Sequence, residues 1–310
     1  MIRTRFAPSP TGDLHAGGAW TALASHLVAK RSGGESILRI EDIDTPRVLP
    51  GSRERIEEDL AWLGFTFDEG SNGEGPYAPY AQSERTARYT QALEKLSALG
   101  LTYPCDCSRA EIARVASAPH SGEETVYPGT CRNADPHRAF KRPPAIRIKV
   151  PENVTLQLID TVQGGYAQHV HRDIGDFVLQ RGDGIFSYQL AVATDDSEMN
   201  ITDVVRGADL LSSTPRQLLL LDLLQKKTPE RYWHVPLVIS PRGERIAKRV
   251  REATIRSLRD SGVQPETILG ELAHGLGVAL DPSPVSLREL EAGATPVRFS
   301  TAAWPIPPSW

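Results

Sequence analysis

A short apolar strand near the start of the chain runs directly into a turn and then into a helix. The strand spans about residues 2–7, the turn holds Pro8 and Gly12, and apolar side chains recur on one helical face over residues 16–28. Such a turn points backbone N–H groups and the positive end of the helix dipole at one spot, which suits a phosphate. His15 lies at that spot as an additional donor. The feature predicts an α/β fold with a phosphate site, although its spacing is neither the GxGxxG nor the Walker pattern.

Composition narrows the class of protein. With 310 residues, 40% of them apolar and 24% charged, the chain is long enough for about two domains and a sizeable core, as in a soluble enzyme. A net charge of −4 means that a nucleic-acid partner has to be met by local basic patches. No run approaches the roughly 18 apolar residues of a membrane span, and the N-terminus lacks a secretory pattern. We therefore expect no membrane partner and a cytoplasmic location, where thiols stay reduced.

A second predicted strand, over residues 36–42, ends in carboxylates. In an open α/β sheet, ligands collect beyond the carboxyl ends of strands, so we expect Arg5, Ser9 and Glu41 to face one crevice. Arginine pairs bidentately with a carboxylate and glutamate accepts from an ammonium, which together suit a zwitterionic amino acid. The alternative is a structural ion pair between Arg5 and Glu41 at the edge of the sheet.

The three cysteines predict a metal site. One residue separates Cys105 from Cys107, and Cys131 returns after a loop. Between them, Ser108 and Glu111 predict a capping box that opens a short helix. An odd number of cysteines argues against a disulfide framework, and structural zinc takes four ligands. On spacing alone, three side chains are candidates for the fourth ligand: His120, His137 and Tyr127. Imidazole is the commoner ligand, which favours His137; the alternative is three unrelated thiols, some of them buried as small hydrophobic groups.

Elements typical of the second half of a nucleotide-binding fold follow the cysteines. A helix capped by Ser187 begins at Tyr188, and a β-branched strand ends in Arg206. Thr214 is the predicted cap of a further helix. Taken alone, Tyr188 is typical of a core aromatic residue and Arg206 of an ion pair at the end of a sheet.

A basic segment comes after these elements. Residues 242–259 hold seven Arg and Lys against two Glu, and a solvated surface helix is the plain interpretation. The rest of the chain predicts helices over residues 264–277 and 284–293, followed by a Pro-rich, aromatic tail.

Several of these segments resemble the class I aminoacyl-tRNA synthetases. His15-Ala16-Gly17-Gly18 resembles their HIGH signature, and the preceding RFAPSPTG is the form found in the glutamyl and glutaminyl branch. The strings over residues 38–47 and 188–217 resemble further segments of that branch. Residues 243–249 take the position of the KMSKS loop, with Arg in place of its first lysine and Ala in place of its serine.

The cysteine pattern narrows the resemblance. Cys-x-Cys followed by Tyr-x-x-x-Cys is similar to the zinc site of the glutamyl-Q tRNA(Asp) synthetases, in which a tyrosine completes the tetrahedron. The resemblance implies an α/β, class I synthetase Rossmann-like nucleotide-binding fold with a zinc-bearing insertion and a short C-terminal helical region. The implied division is residues 1–99 and 166–240 for the two halves of the catalytic domain, 100–165 for the zinc-bearing insertion, and 241–310 for the KMSKS-like loop and the helical region.

The resemblance also implies roles for individual residues. The implied glutamate-binding residues are Arg5, Phe6, Ala7, Pro8, Ser9, Glu41, Tyr188 and Arg206. The implied ATP-binding residues are His15, Gly17, Gly18 and Lys248, of which His15 and Lys248 are catalytic. The implied ligands of one structural zinc are Cys105, Cys107, Tyr127 and Cys131. Two arginines match the two carboxylates of glutamate, whereas glutamine would leave one of them unpaired.

The implied reaction has two steps. ATP with Mg²⁺ activates L-glutamate, which is then transferred to the queuosine base in the anticodon loop of tRNA(Asp), and we expect a monomer. About sixty residues follow Lys248, too few for a large anticodon-binding region. The alternatives are a truncated glutamyl-tRNA synthetase that charges a tRNA 3′ end, and a catalytically degenerate synthetase-like binding protein, which the altered KMSKS-like segment would favour.

Overall fold

The computed structural model describes residues 1–115, 126–240 and 254–310, and these ranges contain both strands and helices. The described strands are β1 (Arg3–Phe6), β2 (Glu35–Leu38), β3 (Thr102–Cys105), β4 (Ala145–Ile148), β5 (Thr155–Asp160), β6 (Gly164–His169), β7 (Val178–Gln180), β8 (Asp203–Gly207), β9 (Arg231–Val235), β10 (Val238–Ile239) and β11 (Trp304–Pro305). The described α-helices are α1 (Ala16–Lys30), α2 (Ser52–Trp62), α3 (Thr86–Ala98), α4 (Arg109–Val115), α5 (Val170–Asp173), α6 (Tyr188–Glu198), α7 (Thr214–Leu223), α8 (Ile255–Asp260), α9 (Pro265–Gly275) and α10 (Leu287–Glu291).

A parallel β–α–β unit opens the fold, which confirms the strand, turn and helix predicted from the sequence. Strand β1 pairs in parallel with β2, and α1 is the crossover between them. The apolar face of α1 is buried, with Trp20, Leu23 and Leu27 in the main core. Burial of this face against the sheet stabilises the helix more than intrinsic propensity does.

The central sheet brings the strands that carry the predicted site side by side. Strands β8 and β9 form a second parallel pair. The two pairs meet between β1 and β8, where the N–H of Thr202 donates to the carbonyl of Arg3 over 3.0 Å. Contacts between β1 and β8 align the two two-stranded sheets in the order β2–β1–β8–β9, and the carboxyl ends of the four strands lie at one edge, as in a Rossmann-like fold.

Antiparallel elements surround this sheet. Strands β3, β4 and β7 form a three-stranded sheet, and β5 with β6 forms a hairpin. Cys105 is the last residue of β3, which places the first cysteine at a strand end. The domain boundaries inferred from the sequence remain a proposal.

Two of the predicted helix starts are confirmed and one is wrong. Ser187 caps α6 by accepting from the N–H of Leu190, and Ser108 with Glu111 forms the reciprocal pair of hydrogen bonds that opens α4. Thr214 is not a cap: it is already the first residue of α7. Its hydroxyl accepts from Nη2 of Arg206 over 2.8 Å, so it serves the site rather than the helix end.

The C-terminal elements pack against α1. Helices α9 and α10 confirm the two predicted helices, and both contact α1. In the tail, the ring of Trp304 stacks on Trp20 with 5.1 Å between centroids, and β11 pairs in parallel with β10. None of the described helices is long and apolar enough to span a membrane.

Candidate active site and metal centre

A cleft of about 690 Å³ opens at the carboxyl edge of the central sheet. Its volume is in the range of small-ligand sites, about 300–1,000 Å³. It is lined by every described residue that the sequence assigns to glutamate or ATP: Arg5, Phe6, Ala7, Pro8, Ser9, His15, Gly17, Gly18, Glu41, Tyr188 and Arg206. Lys248, the remaining predicted residue, lies outside the described residues.

His15 is the N-cap of α1, and this position decides the roles of its two ring nitrogens. Nδ1 accepts from the N–H of Gly18 over 3.1 Å. A neutral imidazole carries its proton on the other nitrogen, so Nε2 is the donor. The sequence predicts a hydrogen-bond donor at this turn. In the structure Nδ1 caps the helix as an acceptor, so Nε2 is the nitrogen that donates.

Gly17 and Gly18 keep the start of α1 clear. A Cβ at Gly17 would lie 3.2 Å from two ring atoms of His15, and a Cβ at Gly18 would lie 2.7 Å from Cδ1 of Leu14. A side chain at either position would therefore displace a neighbour that shapes the turn. The absence of both side chains fits an anion that approaches the helix N-terminus.

Arg5 and Glu41 line the same cleft, but they do not form the ion pair that was the structural alternative. Nε of Arg5 donates to Asp196 over 3.0 Å, and its Nη1 donates to the carbonyl of Val205 over 3.1 Å. Glu41 pairs instead with Arg39, with 3.0 Å between Oε1 and Nη2. Arg39 also contacts Asp196 over 2.6 Å, so a buried network links the two expected ligand-binding groups.

The two carboxylates of this network differ in character. In Asp196, the charges of Arg5 and Arg39 outweigh burial and lower the pKa, so this group is a firm anion. In Glu41, burial raises the pKa, although Arg39 and Arg5 oppose the shift. The ionised form of Glu41 therefore gains from one more cation, such as the ammonium of a bound amino acid.

Arg206 is the last residue but one of β8 and is 3% exposed. Its Nη1 donates to Oε1 of Gln217 over 2.8 Å and lies 3.4 Å from the hydroxyl of Tyr188. Its Nη2 donates to Thr214, and its Nε donates to Nε2 of His234 over 3.0 Å. These partners are all neutral side chains, and no described carboxylate lies within 4.0 Å of the guanidinium, in contrast to the ion pair that was the plain alternative.

The three cysteines form a compact group beside the last residue of β3, Cys105. Their sulfur atoms lie within 4.8 Å of one another, and Sγ of Cys107 is 3.6 Å from Sγ of Cys131. The hydroxyl of Tyr127 lies 3.3 Å from Sγ of Cys105 and 3.7 Å from Sγ of Cys107. The alternative of three unrelated thiols is wrong, because tertiary structure gathers all three.

Three of these distances, 3.3, 3.6 and 3.7 Å, are close to the edges of a small tetrahedron. Zinc–sulfur bonds of about 2.3 Å and zinc–oxygen bonds of about 2.0 Å imply edges of about 3.5–3.8 Å. His137, which spacing alone favoured, is exposed and lies outside this group. His120, the other histidine candidate, lies outside the described residues.

Two arginines flank the cysteine group. The guanidinium of Arg147 lies over the ring of Tyr127, 3.9 Å from its centroid. Nη2 of Arg138 lies 3.3 Å from Sγ of Cys131, and Arg138 is also paired with Asp106. Burial opposes ionisation of the Cys105 thiol, but hydrogen bonds from Tyr127, from the backbone and from Arg147 outweigh it and lower the pKa of this thiol.

Comparison with known proteins identifies the family. The family model for the catalytic domain of class I tRNA synthetases (E and Q) matches residues 1–283. The glutamyl-Q tRNA(Asp) synthetase of Symbiobacterium thermophilum is 45% identical over 297 residues, which cover 94% of this chain and 91% of that protein. The chain belongs to the glutamyl-Q tRNA(Asp) synthetase family. Another member, from Nitratidesulfovibrio vulgaris, is 46% identical over 92% of this chain and 89% of its own length.

Solved structures agree with this family assignment. The glutamate-tRNA synthetase of Elizabethkingia anophelis superposes with a TM-score of 0.80 at 29% identity, over 99% of this chain and 68% of that one. A glutamate tRNA ligase of Elizabethkingia meningosepticum, solved in complex with its amino acid, gives 0.79 at 30% identity over 98% of this chain and 66% of that one. The class I synthetase fold predicted from the sequence is confirmed.

The segment that the sequence analysis compares with the KMSKS loop, residues 243–249, lies outside the described residues. The described residues on either side of it adjoin the cleft. Val238 lines the cleft before the segment, and after it Thr254 pairs with His15 while the N–H of Ile255 donates to the carbonyl of Leu14 over 2.7 Å.

Sequence reasoning missed four buried groups behind the cleft: Arg39, Asp160, Asp196 and His234. Arg39 and Asp196 lie inside strings that the family resemblance covers, but nothing in their spacing indicates that they pair. Asp160 ends β5 and His234 lies in β9, and the ends of strands near a predicted site are the signal by which both could have been found.

Proposed function

We propose that the protein activates L-glutamate with ATP and transfers it to the queuosine base in the anticodon loop of tRNA(Asp), giving glutamyl-queuosine. The family of its relatives supports this reaction. The observation that carries the choice of substrate is Arg206, a buried cation in the cleft that is surrounded by neutral described partners. The proposed partners are L-glutamate, ATP with Mg²⁺ and queuosine-bearing tRNA(Asp), and the proposed state is a monomer in the cytoplasm.

The charges of the cleft match a dicarboxylic amino acid. Arg206 would receive the side-chain carboxylate, with the hydroxyl of Tyr188 beside it. Arg5 would receive the other carboxylate and Glu41 the ammonium. A glutamine side chain would leave Arg206 desolvated without a counter-charge, which costs several kcal/mol, so we propose selection of glutamate over glutamine.

Adenylate formation would take place between this pocket and the start of α1. A carboxylate oxygen of glutamate attacks the α-phosphorus of ATP, and pyrophosphate leaves. Catalysis of such a step consists of positioning and of stabilising charge on the phosphates. Nε2 of His15 and the helix N-terminus would contact the phosphates, and Lys248, as predicted from the sequence, would contact them from the KMSKS-like segment.

In the second step, a hydroxyl of the cyclopentenediol of queuosine attacks the carbonyl carbon of the glutamyl-adenylate. An ester forms, AMP leaves, and the proton of the hydroxyl passes to solvent or to the leaving phosphate. The enzyme then needs to bind the anticodon loop near the same cleft, and not the acceptor end of the tRNA.

We propose one structural zinc ion held by Cys105, Cys107, Tyr127 and Cys131. The support is the spacing of the three sulfur atoms and the phenol oxygen, which matches a tetrahedral site. Four protein ligands leave no open position, so the ion would stabilise the segment that follows β3 and take no part in the chemistry.

The test is transfer of labelled glutamate to three substrates, which are tRNA(Asp) with queuosine, tRNA(Asp) without it and tRNA(Glu), with a reaction lacking tRNA as the control. We expect label on queuosine-containing tRNA(Asp) alone. The label should stay on this tRNA when the 3′-terminal adenosine is removed. Label on the 3′ end of tRNA(Glu) would instead assign the activity of a glutamyl-tRNA synthetase, which the structural similarity to those enzymes makes the second candidate.

A pyrophosphate-exchange assay completes the test. Exchange that depends on glutamate, and is weak with glutamine, supports the proposed pocket. Failure of any amino acid to support exchange would favour the degenerate binding protein, the remaining alternative.

A further inference from the structure

Asp160, His234 and Arg206 form a buried line of hydrogen bonds that ends in the cleft. Oδ2 of Asp160 lies 2.5 Å from Nδ1 of His234, and Nε2 of the same imidazole lies 3.0 Å from Nε of Arg206. The three residues are 2%, 0% and 3% exposed. They come from the ends of β5, β9 and β8, so the line exists only because these strands meet.

The geometry assigns the protons along this line. Arg206 is permanently charged and its Nε carries a hydrogen, so Nε2 of His234 has to accept. The proton of the neutral imidazole is then on Nδ1, which donates to Asp160. Burial, reinforced by the charge of Arg206, lowers the pKa of His234 although Asp160 opposes the shift, and this keeps the ring neutral.

Asp160 is itself held in one orientation by the backbone. Its Oδ1 accepts from the N–H groups of Val162 and Gln163 over 3.0 and 2.9 Å, and both of its oxygens lie 3.2 Å from the N–H of His234. A carboxylate with this many donors cannot rotate without losing hydrogen bonds. Asp160 therefore determines which nitrogen of His234 carries the proton.

A neutral imidazole holds Arg206 differently from a carboxylate. An aspartate at the position of His234 would orient the guanidinium but would also neutralise it. The imidazole, together with Gln217 and Thr214, directs all three guanidinium nitrogens and leaves the positive charge for a ligand.

We propose that Asp160 and His234 are positioning residues that orient Arg206 and preserve its charge for the side-chain carboxylate of the amino-acid substrate. This inference rests on the proposed activation of glutamate. Neither residue touches the substrate; both act through Arg206.

Asp160→Asn is the variant that tests this inference most directly. The amide oxygen can keep the backbone donors of Val162 and Gln163, which turns the NH₂ group toward Nδ1 of His234. Nδ1 then has to accept, so the ring proton moves to Nε2. The N–H group at Nε2 of His234 and the N–H group at Nε of Arg206 are then two donors that face each other. We expect the KM for glutamate to rise about tenfold to a hundredfold, with a much smaller change in the KM for ATP, in glutamate-dependent pyrophosphate exchange.

Asp203→Asn is the matched control. Asp203 is a fully buried aspartate of the same sheet, and it accepts from Nε of Arg231 over 2.6 Å and from Nε1 of Trp233 over 2.9 Å. Arg231 and Trp233 are neighbours of His234 on β9 but lie on the opposite face of the strand. We expect this control to lower the melting temperature without raising the KM for glutamate.

A second pair of variants keeps the inference testable if Asp160→Asn is unstable. His234→Gln can still present an oxygen to Nε of Arg206, whereas His234→Leu cannot. We expect the glutamine variant to retain most of the glutamate affinity and the leucine variant to lose it. Equal losses in the two variants would overturn the inference, because a purely structural role does not distinguish them.

The ¹⁵N NMR shifts of the His234 ring give a readout that needs no substrate. We expect a neutral ring protonated at Nδ1 in the wild type and at Nε2 in Asp160→Asn. A proton that stays on Nδ1 in the variant, or a KM for glutamate within twofold of wild type in both Asp160→Asn and His234→Leu, would overturn the inference. If the wild type has the expected tautomer but does not activate glutamate, the proposed substrate fails while the positioning of Arg206 stands.

Discussion

The amino-acid end of the cleft and the cysteine cluster both gather ionisable side chains, but they do so in different ways. In the cleft, Arg5, Glu41 and Arg206 come from distant parts of the chain, and each already has protein partners. In the cluster, the four groups lie within residues 105–131, and sulfur and phenol oxygen atoms approach one another to 3.3–3.7 Å. The charged side chains of the cleft are held apart by other protein groups, whereas the sulfur and oxygen atoms of the cluster converge on one another.

This difference predicts opposite consequences for mutation. A buried network of ion pairs holds its shape before the substrate arrives, so loss of one group of the cleft is expected to affect binding and chemistry. A metal site gains most of its stabilisation from the ion, so loss of one ligand of the cluster is expected to affect stability. The four predictions below test this contrast, from the largest expected effect to the smallest.

Arg206→Ala should have the largest effect. Loss of a buried charged contact to the substrate costs about 2–5 kcal/mol, or about 30- to 4,000-fold in kcat/KM for glutamate. Glutamate-dependent pyrophosphate exchange measures it. Arg206→Lys keeps the charge but not the planar donors to His234, Gln217 and Thr214. Its kcat/KM for glutamate should therefore lie between those of the wild type and the alanine variant. Normal activation by the alanine variant would show that Arg206 is only structural.

His15→Asn should raise the activation free energy of adenylate formation by about 2–4 kcal/mol, and so slow this step, while the helix end stays intact. Asparagine is a good N-cap and can replace Nδ1 as acceptor for Gly18, but it cannot supply the donor at Nε2. His15→Ala loses both functions, so it should have the same rate defect and a lower melting temperature. A wild-type single-turnover rate in His15→Asn would contradict the proposed phosphate contact.

Cys131→Ser should lower the stability by about 2 kcal/mol, or about 3 °C in melting temperature, and leave the KM for glutamate within about twofold of wild type. Elemental analysis should find one zinc ion per wild-type chain and less in the variant. A chelator should destabilise the wild type more than the variant. Wild-type protein purified without chelator and found to contain no metal would defeat the zinc proposal.

Tyr127→Phe should have the smallest effect, about 1 kcal/mol of stability, because three cysteines remain to hold the ion. Competition with a chromogenic chelator should show weaker metal binding, and Tyr127→His should recover it because imidazole is a common zinc ligand. Metal binding by Tyr127→Phe equal to that of wild type would mean that the tyrosine only packs beneath Arg147 and contributes no ligand.

The success of sequence reasoning followed the range of the interactions involved. The caps at Ser187 and Ser108 depend on residues three positions away, so their patterns were sufficient. Thr214 has the residue type of a cap, but its hydroxyl accepts from Arg206 on the preceding strand, and a tertiary contact of that kind overrides local preference. For the same reason, the histidine favoured by spacing alone, His137, lies away from the cysteines, whereas Tyr127 is beside them.

The sequence by itself determined the strand, turn and helix that open the fold, the set of charged residues at the strand ends, and the family to which they point. These are statements about residue types at short spacings, and apolar periodicity and helix-end chemistry act over such distances. Only the tertiary structure decided that Arg5 pairs with Asp196, that Glu41 pairs with Arg39, and that Asp160 reaches Arg206 through His234. Those pairings depend on which strands lie side by side, and the order of strands in a sheet is set by packing of the whole chain.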